Sequence, residues 1–198
     1  MKLYYLPGSC SLAVNIALRE AGLAFDLDKV SRANLKTKSG EDFLQVNPKG
    51  YVPALKLDDG TVLTEANAIL MYVAEQADTQ LFPSSGTLAY YQAIGWLNYI
   101  ATEVHKSHAP LFDRGASEQE RSKARDKIGK AFDYLTTQLQ QREHLTGHYS
   151  IADMYLYVVL GWGAYVNFSL ADWPVLVAYR ERIHQRDAVT AAREAEGL

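Results

Sequence analysis

Residues 3–22 read LYYLPGSCSLAVNIALREAG, and this stretch decides the fold. Leu3, Tyr4, Tyr5 and Leu6 form an apolar and aromatic run with the character of a β-strand, and Pro7-Gly8 ends it. Beyond the break, Leu12 and Ile16 recur at helical spacing with the small Ala13 and Ala17 beside them. Gly22 then suits the left-handed residue past a helix end. The reading is strand, loop, helix. Cys10, the only cysteine of the chain, falls where the helix begins. Unpaired amides and the positive end of the helix dipole favour an anion there. A free thiol has a pKa of about 8.5, and a helix N-terminus lowers it to roughly 3.5–7.5. The thiol is either activated in this way or a small buried hydrophobe.

Working outward, residues 25–30 alternate apolar and polar side chains and predict a second strand with Phe25, Leu27 and Val30 on its apolar face. Residues 31–41 are polar, carry Lys36 and Lys38, and predict a loop. A short helical turn at 42–45 precedes Asn47-Pro48-Lys49-Gly50. Residues 51–57 form a strand interrupted by Pro53, Asp58-Asp59-Gly60 a hairpin turn, and 61–63 the returning strand. Thr64 is placed as the N-cap of a helix reaching residue 76. Residues 77–86 are rich in Ser, Pro and Gly and read as a linker.

No convincing strand follows. A long helix is predicted over 89–108, stopped by Pro110, and an amphipathic one over 118–141 with Ile128, Phe132 and Leu135 inward. Residues 151–165 are apolar nearly all round, which predicts a buried central helix. Two more run from about 171 to 185 and over 187–196. Ser150-Ile151-Ala152-Asp153 has capping-box spacing, with Asp where Glu or Gln is usual, so Asp153 reads as structural and worth about 1–2 kcal/mol. The fold class is α/β followed by all-α.

The 198 residues are 48% hydrophobic and 22% charged, which is the balance of a globular chain with a real core. The net charge of −3 comes from mixed signs with no basic block, which argues against nucleic acid as a partner. A single cysteine excludes an intramolecular disulfide and fits the reducing cytosol. The chain opens directly on a strand, so no signal peptide is expected. No apolar run reaches the ~20 residues of a membrane span. A cytoplasmic protein without membrane contact is expected.

Further features carry chemistry. Val52-Pro53 is either a cis bond that leaves the Val52 N–H and C=O open to an added peptide strand, or an ordinary edge-strand proline. Asn98, Thr102 and His105 lie at i, i+4 and i+7 and form one polar stripe on the long helix, while Leu97, Ala101 and Val104 form another face. His108 and the remaining histidines are placed at the surface.

The opening Met1-Lys2-Leu3-Tyr4-Tyr5, the loop Pro7-Gly8-Ser9-Cys10-Ser11-Leu12-Ala13, and Asn47-Pro48-Lys49-Gly50 with Val52-Pro53-Ala54-Leu55 together resemble a bacterial glutathione S-transferase of the beta class. Leu63-Thr64-Glu65, Trp96-Leu97-Asn98-Tyr99-Ile100-Ala101 with His105-Lys106, and Ser150-Ile151-Ala152-Asp153 share the resemblance, which spans essentially the whole chain. It implies a thioredoxin-like βαβαββα domain over 1–77, a linker over 78–87 and an all-helical domain over 88–198, assembled as a homodimer. It also implies glutathione as co-substrate with no tightly bound cofactor and no metal, and detoxifying transfer to small hydrophobic electrophiles, with glutathione-dependent thiol–disulfide exchange or peroxidase activity through Cys10 alongside it.

Glutathione is a γ-Glu-Cys-Gly peptide, and its groups find partners in the matched residues. Glu65 is matched to the ammonium, the N–H of Ala66 to the γ-glutamyl carboxylate, and Val52, beside Pro53, to the cysteinyl backbone. Beta-class relatives often carry serine at the position of Ala66, so one hydroxyl contact is missing. Lys36 is the candidate for the glycyl carboxylate, with Lys38 as its substitute, because Leu35 departs from the lysine of the pattern. The resemblance turns the stripe of Asn98, Thr102 and His105 toward the thiol and makes Cys10 and His105 the catalytic pair. It places the electrophile among Tyr5, Leu6, Pro7, Phe112, Trp162 and Tyr165. Cys10 acts either as a thiolate, giving a mixed disulfide with glutathione, or as a thiol that donates a hydrogen bond to the glutathione sulfur. Ala13 rules out a Cys-x-x-Cys pair, so a second glutathione must resolve any disulfide. A glutathione-binding stress-response protein without turnover is the competing function.

Overall fold

In the computed structural model, which describes residues 1–198, the apolar run at the start of the chain becomes an inner strand. Lys2–Tyr5 (β1) pairs in parallel with Asp26–Lys29 (β2) and antiparallel with Ala54–Lys56 (β3), and β3 pairs antiparallel with Val62–Thr64 (β4). The order across the sheet is β2-β1-β3-β4. Leu3 and Tyr4 are fully buried, as a strand covered on both faces requires. Helices Ser11–Glu20 (α1), Phe43–Val46 (α2) and Ala66–Gln76 (α3) complete the βαβαββα order.

The second strand departs from its predicted faces. Leu27 is only half-buried, whereas Asp28 is buried. The Asp28 carboxylate accepts from the Ser39 N–H (3.2 Å) and hydroxyl (2.6 Å), with the Lys2 ammonium at 3.8 Å. Alternation alone cannot see a carboxylate that is satisfied locally.

Two compact units emerge, Met1–Phe82 with Arg186–Leu198, and Pro83–Gln185. The last helix, Asp187–Glu196 (α9), was expected among the helices of the second part and belongs instead to the first unit. It packs on α1 through the buried Val189 and Ala192. The fully buried Asn15 Nδ2 donates to Glu196 Oε1 (3.0 Å), and Arg186 Nε and Nη2 donate to the two Glu20 oxygens at 2.6 and 3.1 Å. An amphipathic pattern records that a face is covered and leaves open by what.

In the second unit, Thr87 caps Leu88–Tyr99 (α4) by accepting from the Tyr90 N–H. The predicted helix over 89–108 is not uniform: Ile100–His105 is a π-helical turn and Lys106–His108 a 3₁₀ turn. Pro110 does not stop a helix but sits in the first turn of Ala109–Phe112 (α5), where no amide donor is needed. A Ser117–Glu120 capping box opens Glu118–Leu139 (α6), whose Ile128, Phe132 and Leu135 point inward as predicted. Every residue of Ile151–Leu160 (α7) is buried, a 3₁₀ turn over Gly161–Tyr165 follows, and Pro174–His184 (α8) completes the unit. No helix is long and apolar enough to cross a membrane.

The Asp153 carboxylate lies at the start of α7 and is fully buried. Its Oδ2 accepts from the Ser150 N–H (2.9 Å) and hydroxyl (2.8 Å), and its Oδ1 from the Leu145 N–H (2.9 Å) and Tyr179 hydroxyl (2.8 Å). It therefore ties three segments together, more than a helix cap alone does. Asp153→Ala strands these buried donors and should lower the unfolding free energy by about 3–5 kcal/mol, read by urea denaturation.

Glu196 supplies a second measurable. Burial pushes its carboxyl pKa up from 4.5 to about 7, against the opposing pull of its hydrogen bonds and of Arg19. Between those values the folded chain holds a proton that the unfolded chain has released. The associated stability is therefore full below pH 4.5 and is lost as the pH rises through about 7. The loss amounts to about 3 kcal/mol. Glu196→Gln should flatten that slope in a pH series of denaturant titrations.

Candidate active site

The turn from β1 into α1 must close within a few residues while satisfying buried backbone groups. Ser11 is fully buried and does most of this: its hydroxyl accepts from the Leu6 N–H and donates to the Leu6 carbonyl, both at 3.2 Å, and lies 2.8 Å from the Ser9 hydroxyl. Gly8 takes φ +70°, and its N–H donates to Glu196 Oε2 at 3.0 Å. Cys10 thereby lands on the N-cap of α1, as read from the sequence, and is 9% exposed. Its sulfur makes no capping bond to the helix amides. The sulfhydryl instead donates to the Val52 carbonyl, 3.5 Å away.

The Val52–Pro53 bond is cis. The loop leading into it is organised by Asn47, whose side-chain Nδ2 donates to the Tyr51 carbonyl (2.7 Å) while its Oδ1 accepts from the Lys49 N–H (3.2 Å). Nothing at the sequence level singles out Asn47 beyond the Asn-Pro-x-Gly turn in which it stands. Glu65, not Thr64, is the N-cap of α3, and it holds φ +72°. A non-glycine residue in that region carries strain of order 1–3 kcal/mol, and such strain gathers at ligand sites. The Glu65 carboxylate is 71% exposed and pairs with the Lys49 ammonium, a partner the sequence reading missed. Ala66 follows as the first residue of α3, its amide at the positive end of the helix.

Lys36 and Lys38 are exposed in the loop that Leu35, at φ +52°, turns. Tyr5 is buried in the sheet, and Leu6 and Pro7 are half-buried.

In the second unit, Asn98 and Thr102 are exposed, and the Thr102 hydroxyl donates to the Asn98 carbonyl at 3.0 Å. His105 ends the π-helical turn, a device that recurs at functional positions and that periodicity analysis assumes away. Its Nδ1 lies 2.6 Å from the Tyr155 hydroxyl, and its ring stands edge-on to Trp162 at 4.6 Å. Burial first, then the charges of Lys106 and His108, pull its pKa down to about 4. His105 is thus a neutral imidazole at physiological pH, held by a tyrosine that sequence reasoning did not find. His108, placed at the surface from sequence, is fully buried, with Nδ1 donating to the Val104 carbonyl at 2.8 Å. Trp162 is buried, Phe112 packs edge-on to it at 5.8 Å, and Tyr165 is exposed. A separate hollow of about 780 Å³, walled by Trp96, Tyr99 and Tyr134, contains none of the residues expected to act.

These features have close counterparts among known proteins. Residues 8–76 match the model of the glutathione S-transferase N-terminal domain, and residues 87–187 that of the glutathione S-transferase C-terminal domain. The chain is 42% identical to glutathione S-transferase GstA of Escherichia coli O157:H7 over 200 aligned residues, covering 100% of both proteins. Among solved structures, the ternary complex of the bacterial glutathione transferase BphK superposes with a TM-score of 0.98 at 50% identity, covering 100% of both chains. The beta-class enzyme of Sphingomonas chungbukensis superposes with a TM-score of 0.97 at 47% identity, again covering 100% of both. The two domain models and the relatives matched from end to end place this chain in the glutathione S-transferase family.

Proposed function

We propose that the protein transfers glutathione to small electrophiles, aromatic or halogenated, and that Cys10 also supports glutathione-dependent thiol–disulfide exchange. The observation that carries this reading is the 3.5 Å contact between the Cys10 sulfhydryl and the Val52 carbonyl. A tripeptide whose cysteinyl backbone pairs with Val52 brings its own sulfur to Cys10. Glu65 takes the ammonium and the Ala66 N–H the γ-glutamyl carboxylate. Lys36 or Lys38 meets the glycyl carboxylate.

The donor geometry favours Cys10 as a thiol over a thiolate. It faces a carbonyl oxygen, which repels an anion, and two adjacent sulfur anions would raise each other's proton affinity. Cys10 then donates to the glutathione sulfur as that sulfur loses its proton to solvent. The glutathione thiolate attacks the electrophilic carbon, a C–S bond forms, and the leaving group departs with its electron pair. In exchange, Cys10 first gives up its proton to solvent. Its sulfur attacks one sulfur of a glutathione-containing disulfide, the S–S bond breaks, and the partner leaves as a thiolate that takes up a proton. A second glutathione resolves the mixed disulfide, leaving oxidised glutathione and Cys10 as before. Neutral His105, fixed by Tyr155, acts with Asn98 and Thr102 as a hydrogen-bonding group. Phe112 and Trp162 support an aromatic electrophile surface. Leu88 and Tyr91, 75% and 62% exposed on α4, support a homodimer.

Removing a donor and removing a nucleophile have different consequences. Cys10→Ala should reduce conjugation kcat/KM by about tenfold, the loss of one hydrogen bond, while abolishing disulfide exchange. Equal collapse of both activities would assign the thiolate route to both. Glu65→Gly removes an exposed ion pair and relieves a strained φ, so stability should hold within about 1 kcal/mol. Retention on immobilised glutathione should nonetheless fall by at least about tenfold, since a charge-assisted contact is lost.

A further inference from the structure

Glu196 has no part in the chemistry so far, although its partners lie at the opposite end of the sequence. Its carboxylate is 6% exposed and accepts from two donors at once, the Gly8 N–H at Oε2 and Asn15 Nδ2 at Oε1, both at 3.0 Å. Asn15 Oδ1 in turn accepts from Arg19 Nε at 2.9 Å, so a carboxylate, an amide and a guanidinium run along α1. Asn15 Nδ2 also donates to the Ala192 carbonyl at 3.4 Å, so Asn15 itself links α1 to α9. The bond to Gly8 reaches beyond the helix into the loop that ends at Cys10. Two residues of chain span at most about 7.2 Å between Cα atoms, so this clamp and the thiol share one short arc.

We propose that Glu196 is a positioning residue for Cys10: by holding the Gly8 N–H and Asn15 together it fixes the loop that presents the thiol to Val52. This rests on the reading of Cys10 as the working thiol. The clamp uses both carboxyl oxygens, one for each donor, and a carboxamide would turn its NH2 group toward one of those donors. The groups facing Glu196 are Tyr5 on β1, the Gly8 amide, and Asn15 and Arg19 on α1. Arg19 favours the anion, but burial outweighs it, and Glu196 ionises at about 7. A negative charge arriving beside the loop makes the thiolate harder to form. The thiol's titration is therefore bent by its neighbour's.

The test uses the full-length protein, Glu196→Gln and Glu196→Ala, with iodoacetamide alkylation of Cys10 followed from mildly acid to alkaline pH and conjugation kinetics measured on each. The wild type should show the thiol's own inflection and a second near 7, and Glu196→Gln only the first. Glu196→Ala should lower kcat by about tenfold with little change in KM for glutathione, because Val52 and Glu65 are untouched. Superimposable alkylation profiles for wild type and Glu196→Gln overturn the proposal. So does a lower melting temperature for both variants with kcat unchanged, which marks a purely structural residue. The reading of Cys10 fails separately, if Cys10→Ala leaves conjugation and exchange intact, and the alkylation profile remains measurable in that case.

Discussion

The Ser11 hydroxyl, bonded to both the N–H and the C=O of Leu6, is the constraint on which the loop carrying Cys10 depends. A buried strand end and a buried helix start face each other across a handful of residues, and backbone groups left there without partners would each be expensive. Ser11 satisfies them with a side chain short enough to stay within the turn. Everything local to the thiol follows from that closure: Gly8 enters the left-handed region, Cys10 lands on the first helical turn, and its sulfur meets the Val52 carbonyl.

Much of this was legible in the residues. Leu3–Leu6, Pro7-Gly8 and the apolar spacing of α1 fixed strand, break and helix. The hairpin at Asp58-Asp59-Gly60 fixed the pairing of β3 with β4. These are local signals, and local signals survive folding. Those that failed depended on a partner that periodicity does not reveal. Asp28 was read as solvent-facing because Ser39, eleven residues on, was not known to cover it. His108 was read as surface because nothing in its neighbours announces a bond to its own helix's carbonyl. The last helix was assigned to the wrong unit because its covered face says nothing of what covers it.

At the site itself, residue types were legible and conformations were not. Glu65 is prominent as an acid before a helix, yet its positive φ has no precedent in its composition, since glycine or asparagine usually occupies that region. The polar stripe of Asn98, Thr102 and His105 was drawn on an ideal α-helix, and the π turn over Ile100–His105 breaks that geometry. The consequence is chemical. His105 is drawn toward Tyr155 and Trp162, loses its affinity for a proton, and stands there as a dipole instead of a charge.

Because α9 joins the first unit, that unit is discontinuous along the chain, and the Gly8–Glu196 bond closes a loop of 188 residues. During synthesis on the ribosome, Gly8 emerges 188 residues ahead of the carboxylate that accepts from its N–H. The loop from Gly8 to Cys10 therefore lacks this one bond until Pro83–Gln185 has been made. Completion of the first unit is in this way postponed until the unit encoded between its two parts has been made and is available to fold.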